Sequence, residues 1–243
     1  MKKKKTIVLI IIAAGVVLLA ASWLVGRKIS KERYLSHNNT YNDEGMLLDS
    51  VKNPYYSKRQ WGYFYKIPRT VRYHSDITGT ERKAMVFLPV GYDKNKSYPV
   101  LYLLHGYGGR HSTWRNKNAH IIIQNLIYFE DVPEMIVVCP DCVVSADENA
   151  RDENFYETIP DERYSGGIPA LLDELKLDSS QFEFLMLSVG KSDNVCGDVT
   201  YALHEYMTGH GINHVFYDVD GEHENKVWQN SLYNFCKNIF NQE

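Results

Sequence analysis

Residues 100–104, VLYLL, form a continuously apolar run that empties straight into His105-Gly106-Tyr107-Gly108-Gly109. An apolar run of that length, with no polar alternation, is what a strand buried on both faces requires. The glycines that follow allow a sharp turn whose backbone N–H groups face outward, where a developing oxyanion would sit. The plainer reading is a tight strand-to-helix turn in which glycine supplies positive φ. His105 belongs to the turn, so it reads as a structural hydrogen-bonding residue and not as a base.

Comparable β-branched and aromatic runs recur at 71–73, 83–88, 135–139, 182–188 and 214–219. Helix-like stretches lie at 119–129, 169–177, 198–207 before Gly209, and 226–240, the last with Trp228, Leu232, Phe235 and Ile239 on one face. The alternation predicts an α/β fold, a mostly parallel sheet with helices on both faces. In such sheets the loops at the carboxyl ends of the strands carry the chemistry. With 243 residues, 44% of them hydrophobic, the chain has material for one such domain plus a short appendage. Its 27 Lys and Arg against 30 Asp and Glu leave no basic field, which excludes nucleic acid as the expected partner.

The appendage is N-terminal. Four lysines, residues 2–5, precede an uncharged run at 7–25, IVLIIIAAGVVLLAASWLV. It reads as a retained signal-anchor, or as a signal peptide with an apolar core at 7–19 cut after Ala20-Ala21-Ser22. The expected organisation is therefore a leader at 1–26, a polar linker at 27–55 and a globular domain at 56–243. That domain is expected outside the cytoplasm, membrane-anchored through 7–25 or secreted. Cys139, Cys142, Cys196 and Cys236 would allow up to two disulfides there. The Cys139-Pro-Asp-Cys142 spacing has no second CxxC beside it, so it reads as structural cysteine before a redox or zinc motif.

Two further loops hold titratable residues at chemically useful places. The run 182–188 leads to Val189-Gly190-Lys191-Ser192-Asp193-Asn194, and the run 214–219 leads to Asp220-Gly221-Glu222-His223. An acid and then a histidine, each just beyond a strand, is the chain order in which α/β-hydrolases supply the later two members of their triad. Taken singly, Asp193 reads equally as the cap of the helix near Asp198, and His223 as a solvent-exposed loop histidine. Together with HGYGG they read as a site. His204, His210 and His214 straddle a helix end and a strand start, a spacing that does not suit zinc.

The stretches YHSDITGTERKAMVFLPVGYDKNKSYPVLYLLHGYGGRHSTW (73–114), FEFLMLSVGKSDN and GINHVFYDVDGEHENKVWQNSLYNFCKNIF (within 182–240) resemble the putative esterase family of α/β-hydrolases, which includes esterase D-like and feruloyl esterase-like enzymes. IIIQNLIYFEDVPEMIVVCPD is similar to that family's next helix and strand, so the resemblance covers roughly two-thirds of the chain. It implies a serine carboxylic-ester hydrolase acting on feruloyl- or acetyl-type esters of carbohydrate, or on small esters. It also implies Asp193 as acid, His223 as base, and the backbone of Gly106, Tyr107, Gly108 and Gly109 as the oxyanion side. That chemistry needs no metal or organic cofactor.

The family's nucleophile sits in a G-x-S-x-G elbow, and no such pentapeptide occurs in this sequence. Nor is there room for one in its usual setting. The 41 residues 141–181 separate the strand ending near Cys139 from the acid-bearing strand. One strand-helix-strand crossover alone takes roughly 30 residues or more. Arg163-Tyr164-Ser165-Gly166-Gly167 keeps the S-x-G half of the elbow ahead of a helix-like stretch, which makes Ser165 the candidate nucleophile. Its plainer reading is a glycine-rich turn. Ser188 and Ser192 lie beside the acid and not opposite the histidine. Two functions follow as alternatives, an ester hydrolase, or a surface module that has lost catalysis and binds carbohydrate or acylated ligands. A sheet shortened in its middle also predicts flanking strands that pair with each other or present bare edges.

Overall fold

A computed structural model describes residues 2–36, 46, 55–76, 79–106, 108–141 and 183–240, with side chains of the first helix from Gly15 onward. Ser165, Tyr107, Cys142 and the helix expected at 169–177 lie outside the described residues.

The described elements are α1 (Lys2–Ser36), a 3₁₀ turn (Tyr55–Ser57), β1 (Arg69–Ser75), β2 (Thr80–Phe87), β3 (Val100–Tyr102), α2 (Thr113–Asn116), α3 (Ala119–Phe129), β4 (Ile136–Pro140), β5 (Met186–Gly190), α4 (Gly197–Gly209), β6 (Val215–Val219) and α5 (Asn225–Asn238). Every strand and helix expected within the described residues is present, with ends displaced by a few residues. The sheet, though, is mixed. β1 and β2 form an antiparallel hairpin closed at Gly79 (φ 63°), β2 and β4 pair antiparallel, and β3 and β4 pair parallel, in the order β1-β2-β4-β3. The hairpin is antiparallel because a connection so short cannot return a strand in parallel.

β5 and β6 form a separate parallel pair. Among the described residues no strand joins the two sheets, so β3 and β5 do not pair with each other. β3 is not the doubly buried strand that its apolar run predicts: among the described residues it pairs only with β4, and Val100 and Tyr102, with Leu104 just after it, are exposed.

α3 is buried except at Ile127 and Tyr128, as its near-continuous apolar sequence requires. It packs beneath the larger sheet against Met85, Phe87, Val137 and Cys139, and on its other side meets Leu232, Tyr233 and Cys236 of α5. Fully buried Ile122 and Leu126 each contribute about 2–3 kcal/mol of apolar transfer. A smaller cluster of Met46, Tyr217, Val219 and Val227 underlies β6. Helix α5 lies against both α3 and β5 and so ties the two sheets into one body.

The stretch expected to open a linker at residue 27 is instead the last part of α1, which continues to Ser36. Tyr34 is completely buried there, packs on Phe129 at 4.5 Å and donates a hydrogen bond of 3.0 Å to Glu130. The polar composition of 27–36 conceals this single anchoring ring. Among the described residues no helix is long and apolar enough to cross a membrane. Cys139, Cys196 and Cys236 are free thiols. Burial pushes Cys139 and Cys236 up to about 12, so both behave as inert core residues.

Candidate active site

β5 and β6 run parallel with Gly190 opposite Val219, so the loops after them leave the same edge side by side. Two backbone bonds hold the loops together, from Lys191 N–H to the Val219 carbonyl at 2.8 Å and from Ser192 N–H to the Gly221 carbonyl at 2.9 Å. The approach is close enough that a Cβ on Gly190 would stand 2.5 Å from the Gly221 oxygen. Glycine at 190 is therefore a steric requirement.

From this junction Asp193 and His223 meet. The His223 Nδ1–H donates to Asp193 Oδ2 at 3.0 Å. Asp193 Oδ1 accepts the N–H groups of Val195 and Cys196, each at 2.9 Å, just ahead of α4. Asp193 therefore bonds the turn ahead of α4, whose N-cap is Cys196 with no side-chain cap, and at the same time contacts the histidine. Its side chain is 5% exposed, whereas His223 is 36% exposed. Burial alone would raise the Asp193 carboxyl. The bonds from Cys196, His223 and Val195 outweigh that and hold it below its ordinary value. An ionised carboxylate on Nδ1 fixes the imidazole tautomer and leaves Nε2 with its lone pair.

Trp228 stands edge-on to the His223 ring at 4.9 Å, and the Lys117 ammonium lies 3.6 Å from the centre of the Trp228 ring. Lys117 also donates to Asn225 Oδ1 at 2.5 Å, and desolvation lowers its pKa. Sequence periodicity put Trp228 with the core face of its helix. Its place in the first turn of α5, one turn from the histidine loop, was the signal for the site. Lys117 carried no such signal.

On the other side of the chain, β3 leads into the glycine turn. His105 is half-buried and its Nδ1 lies 2.9 Å from the Gly106 carbonyl, while Nε2 is 3.8 Å from Asp141. These are structural contacts, as expected of a turn residue. Gly108 has φ 67°, and a Cβ on Gly109 would stand 2.8 Å from the His105 side chain. The Gly109 N–H is engaged by the Gly106 carbonyl at 3.0 Å, so it serves the turn itself. Gly106 and Gly108 are the remaining described members of the oxyanion candidate.

Of the other sequence candidates, Ser188 Oγ is hydrogen-bonded to Ser231 Oγ of α5 and Ser192 is held through its backbone. Among the described residues no hydroxyl is hydrogen-bonded to His223 Nε2. His204 and His214 bond each other at 2.8 Å, and His210 faces the Tyr206 carbonyl.

Residues 75–166 match the family model described as "Putative esterase". An endo-1,4-beta-xylanase/feruloyl esterase of Xylanibacter ruminicola is 30% identical over 120 residues, which cover 40% of this chain and 16% of that protein. Endo-1,4-beta-xylanase Y of Acetivibrio thermocellus is 33% identical over 86 residues, 35% of this chain and 8% of that protein. The match thus spans under a fifth of the length of these relatives. Among solved structures, a ferulic acid esterase from the anaerobic fungus Anaeromyces mucronatus superposes with a TM-score of 0.59 at 23% identity, covering 75% of this chain and 93% of that one. The fold is shared.

Proposed function

We propose that this chain, an esterase-family protein with an α/β-hydrolase type of fold, hydrolyses carboxylic esters of the feruloyl or acetyl kind, carried on carbohydrate or on small molecules. The observation that supports it is the 3.0 Å bond between His223 and buried Asp193, with the other face of the imidazole open. A histidine so held is prepared to accept a proton at Nε2. Ser165 is the serine assigned to it, and the family match extends through Ser165 and Gly166.

In this reading the Ser165 hydroxyl attacks the ester carbonyl while His223 Nε2 takes its proton, and Asp193 stabilises the imidazolium. N–H groups of the 106–108 turn receive the oxyanion. His223 then returns the proton to the leaving alcohol, and water repeats the sequence on the acyl-serine. The substrate class follows the names of the xylan-acting relatives. Membrane attachment through the 7–25 run, with the body outside the cytoplasm, belongs to the same reading.

A second reading, a binding module without catalysis, is favoured by one observation, the lack of any G-x-S-x-G in the sequence. One experiment separates them. Full-length protein in detergent is treated with a fluorophosphonate probe and assayed on p-nitrophenyl acetate and methyl ferulate. The hydrolase reading expects labelling that disappears in Ser165→Ala and weakens in His223→Ala. Folded protein that takes up no label yet is retained on feruloylated xylan would sink it in favour of the binding module.

A further inference from the structure

The lower part of α1 meets the body at one level, and that level is a chemical boundary. Val16, Val17, Leu18 and Leu19 are all exposed. Successive helical residues point about 100° apart, so these four side chains cover the whole circumference. A groove on a protein partner covers one face of a helix, whereas an apolar medium surrounds all of it. The uncharged run ends at Val25, and Arg27, Lys28, Lys31 and Arg33 follow.

At that point the body is already in contact with the helix. The Trp61 ring lies on Gly26, where a Cβ would come within 2.2 Å of it, and Gly62 (φ 82°) lies on Arg27. The Arg27 guanidinium stands 4.3 Å from the Tyr63 ring and 5.3 Å from the Trp23 ring. Beside this junction Trp61, Phe64 and Ile67 point outward with 60%, 70% and 68% of their surface exposed. A cleft of about 530 Å³, lined by Trp23, Arg27, Tyr63 and Phe64 among others, opens between helix and body.

The segment bearing these residues is firmly held. Asn125 donates to the Tyr56 and Lys58 carbonyls and accepts from the Tyr65 hydroxyl, and Gln124 bonds both backbone groups of Lys66. Residues 27–36 and 55–69 together contain eight Lys and Arg against the single acid Glu32, in a chain of net charge -3. Aromatic and aliphatic side chains ringed by cations, at the depth where an apolar run becomes charged, match the headgroup layer of an anionic bilayer.

We infer that the face formed by Trp61, Phe64 and Ile67 beside α1 is a docking surface for an anionic phospholipid bilayer. It seats the body directly on the membrane with no spacer. The inference rests on the membrane attachment read above and adds to it a fixed orientation of the body.

The test uses full-length chain in phosphatidylcholine vesicles containing phosphatidylglycerol and a phospholipid brominated near the carbonyl end of its acyl chains. Differences between the parent spectrum and those of Trp61→Phe and Trp23→Phe isolate each emission. Docking expects loss of the Trp61 component by bromine quenching, relief of that loss in a Phe64→Ser, Ile67→Ser double variant, and unchanged Trp23 quenching in the same variant. Weaker Trp61 quenching without phosphatidylglycerol is also expected, and equal quenching would overturn the anionic preference. Quenched Trp23 with unquenched Trp61 would overturn the docking surface and leave attachment standing. If neither is quenched, the attachment itself fails and the docking with it.

Discussion

Asp193 divides its carboxylate between two tasks, one oxygen capping the turn into α4 and the other holding His223 at 3.0 Å. In Asp193→Asn an amide can keep the cap through its oxygen, but its NH₂ then confronts Nδ1 and favours the wrong tautomer. Ester hydrolysis should fall by roughly 10,000-fold with little loss of Tm. Asp193→Ala should lose the same activity and, in addition, about 1 kcal/mol of stability from the lost turn hydrogen bonds. Steady-state kinetics alongside thermal melts of the two variants would distinguish the tasks.

Gly190→Ala puts a methyl group 2.5 Å from the Gly221 carbonyl oxygen, backbone that cannot swing aside. The two loops must part, at a cost of about 1–3 kcal/mol. Activity should decline together with stability, because the same junction sets the distance between acid and base. Activity retained in full at an unchanged Tm would contradict the assignment of this contact.

Glu130 gathers three helices. Its carboxylate accepts from Tyr34 of α1 at 3.0 Å, and from Tyr233 at 2.5 Å and Lys237 at 3.0 Å on α5, at the end of α3. Glu130→Ala removes these three hydrogen bonds, one of them to an ammonium, and should cost about 3 kcal/mol in urea unfolding. Glu130→Gln, which keeps the acceptor oxygen, should cost less. Equal midpoints for both variants and the parent would show that the cluster contributes nothing.

His120 is buried on α3, and burial, with Arg59 and Arg115 nearby, pushes its pKa down to about 4 from 6.5. The unfolded chain therefore takes up this proton first as the medium acidifies. The contribution is fully present above about pH 6.5 and is lost as pH falls from there toward 4. Melting temperature should decline across that window, and His120→Gln should flatten the decline even if its melt starts lower.

What could be read from the sequence was local. α3 is legible in AHIIIQNLIYF, and Asp193 and His223 were found because each stands a few residues past an apolar β-branched run. Glycine 190 was in plain sight, but its necessity comes from Gly221, far along the chain, which no local pattern reveals. The same holds for Tyr34, an aromatic in a polar stretch whose burial depends on Phe129 and Glu130. The antiparallel pairing of β2 with β4 and the parallel pairing of β3 with β4 are long-range choices of partner, which periodicity does not encode. Ser165 carries its half-motif outside the described residues, and chemical labelling is the route to it.

The small sheet of β5 and β6 gives Asp193 and His223 a common support. They stand thirty positions apart; α4, β6 and Gly221 lie inside that interval, and β5 with Gly190 stands immediately before it. Closing so short a stretch costs little chain entropy. The clasp therefore travels as a cassette. All the described contacts that hold Asp193 to His223 come from the stretch between β5 and the start of α5, so the pair keeps its geometry as one local unit.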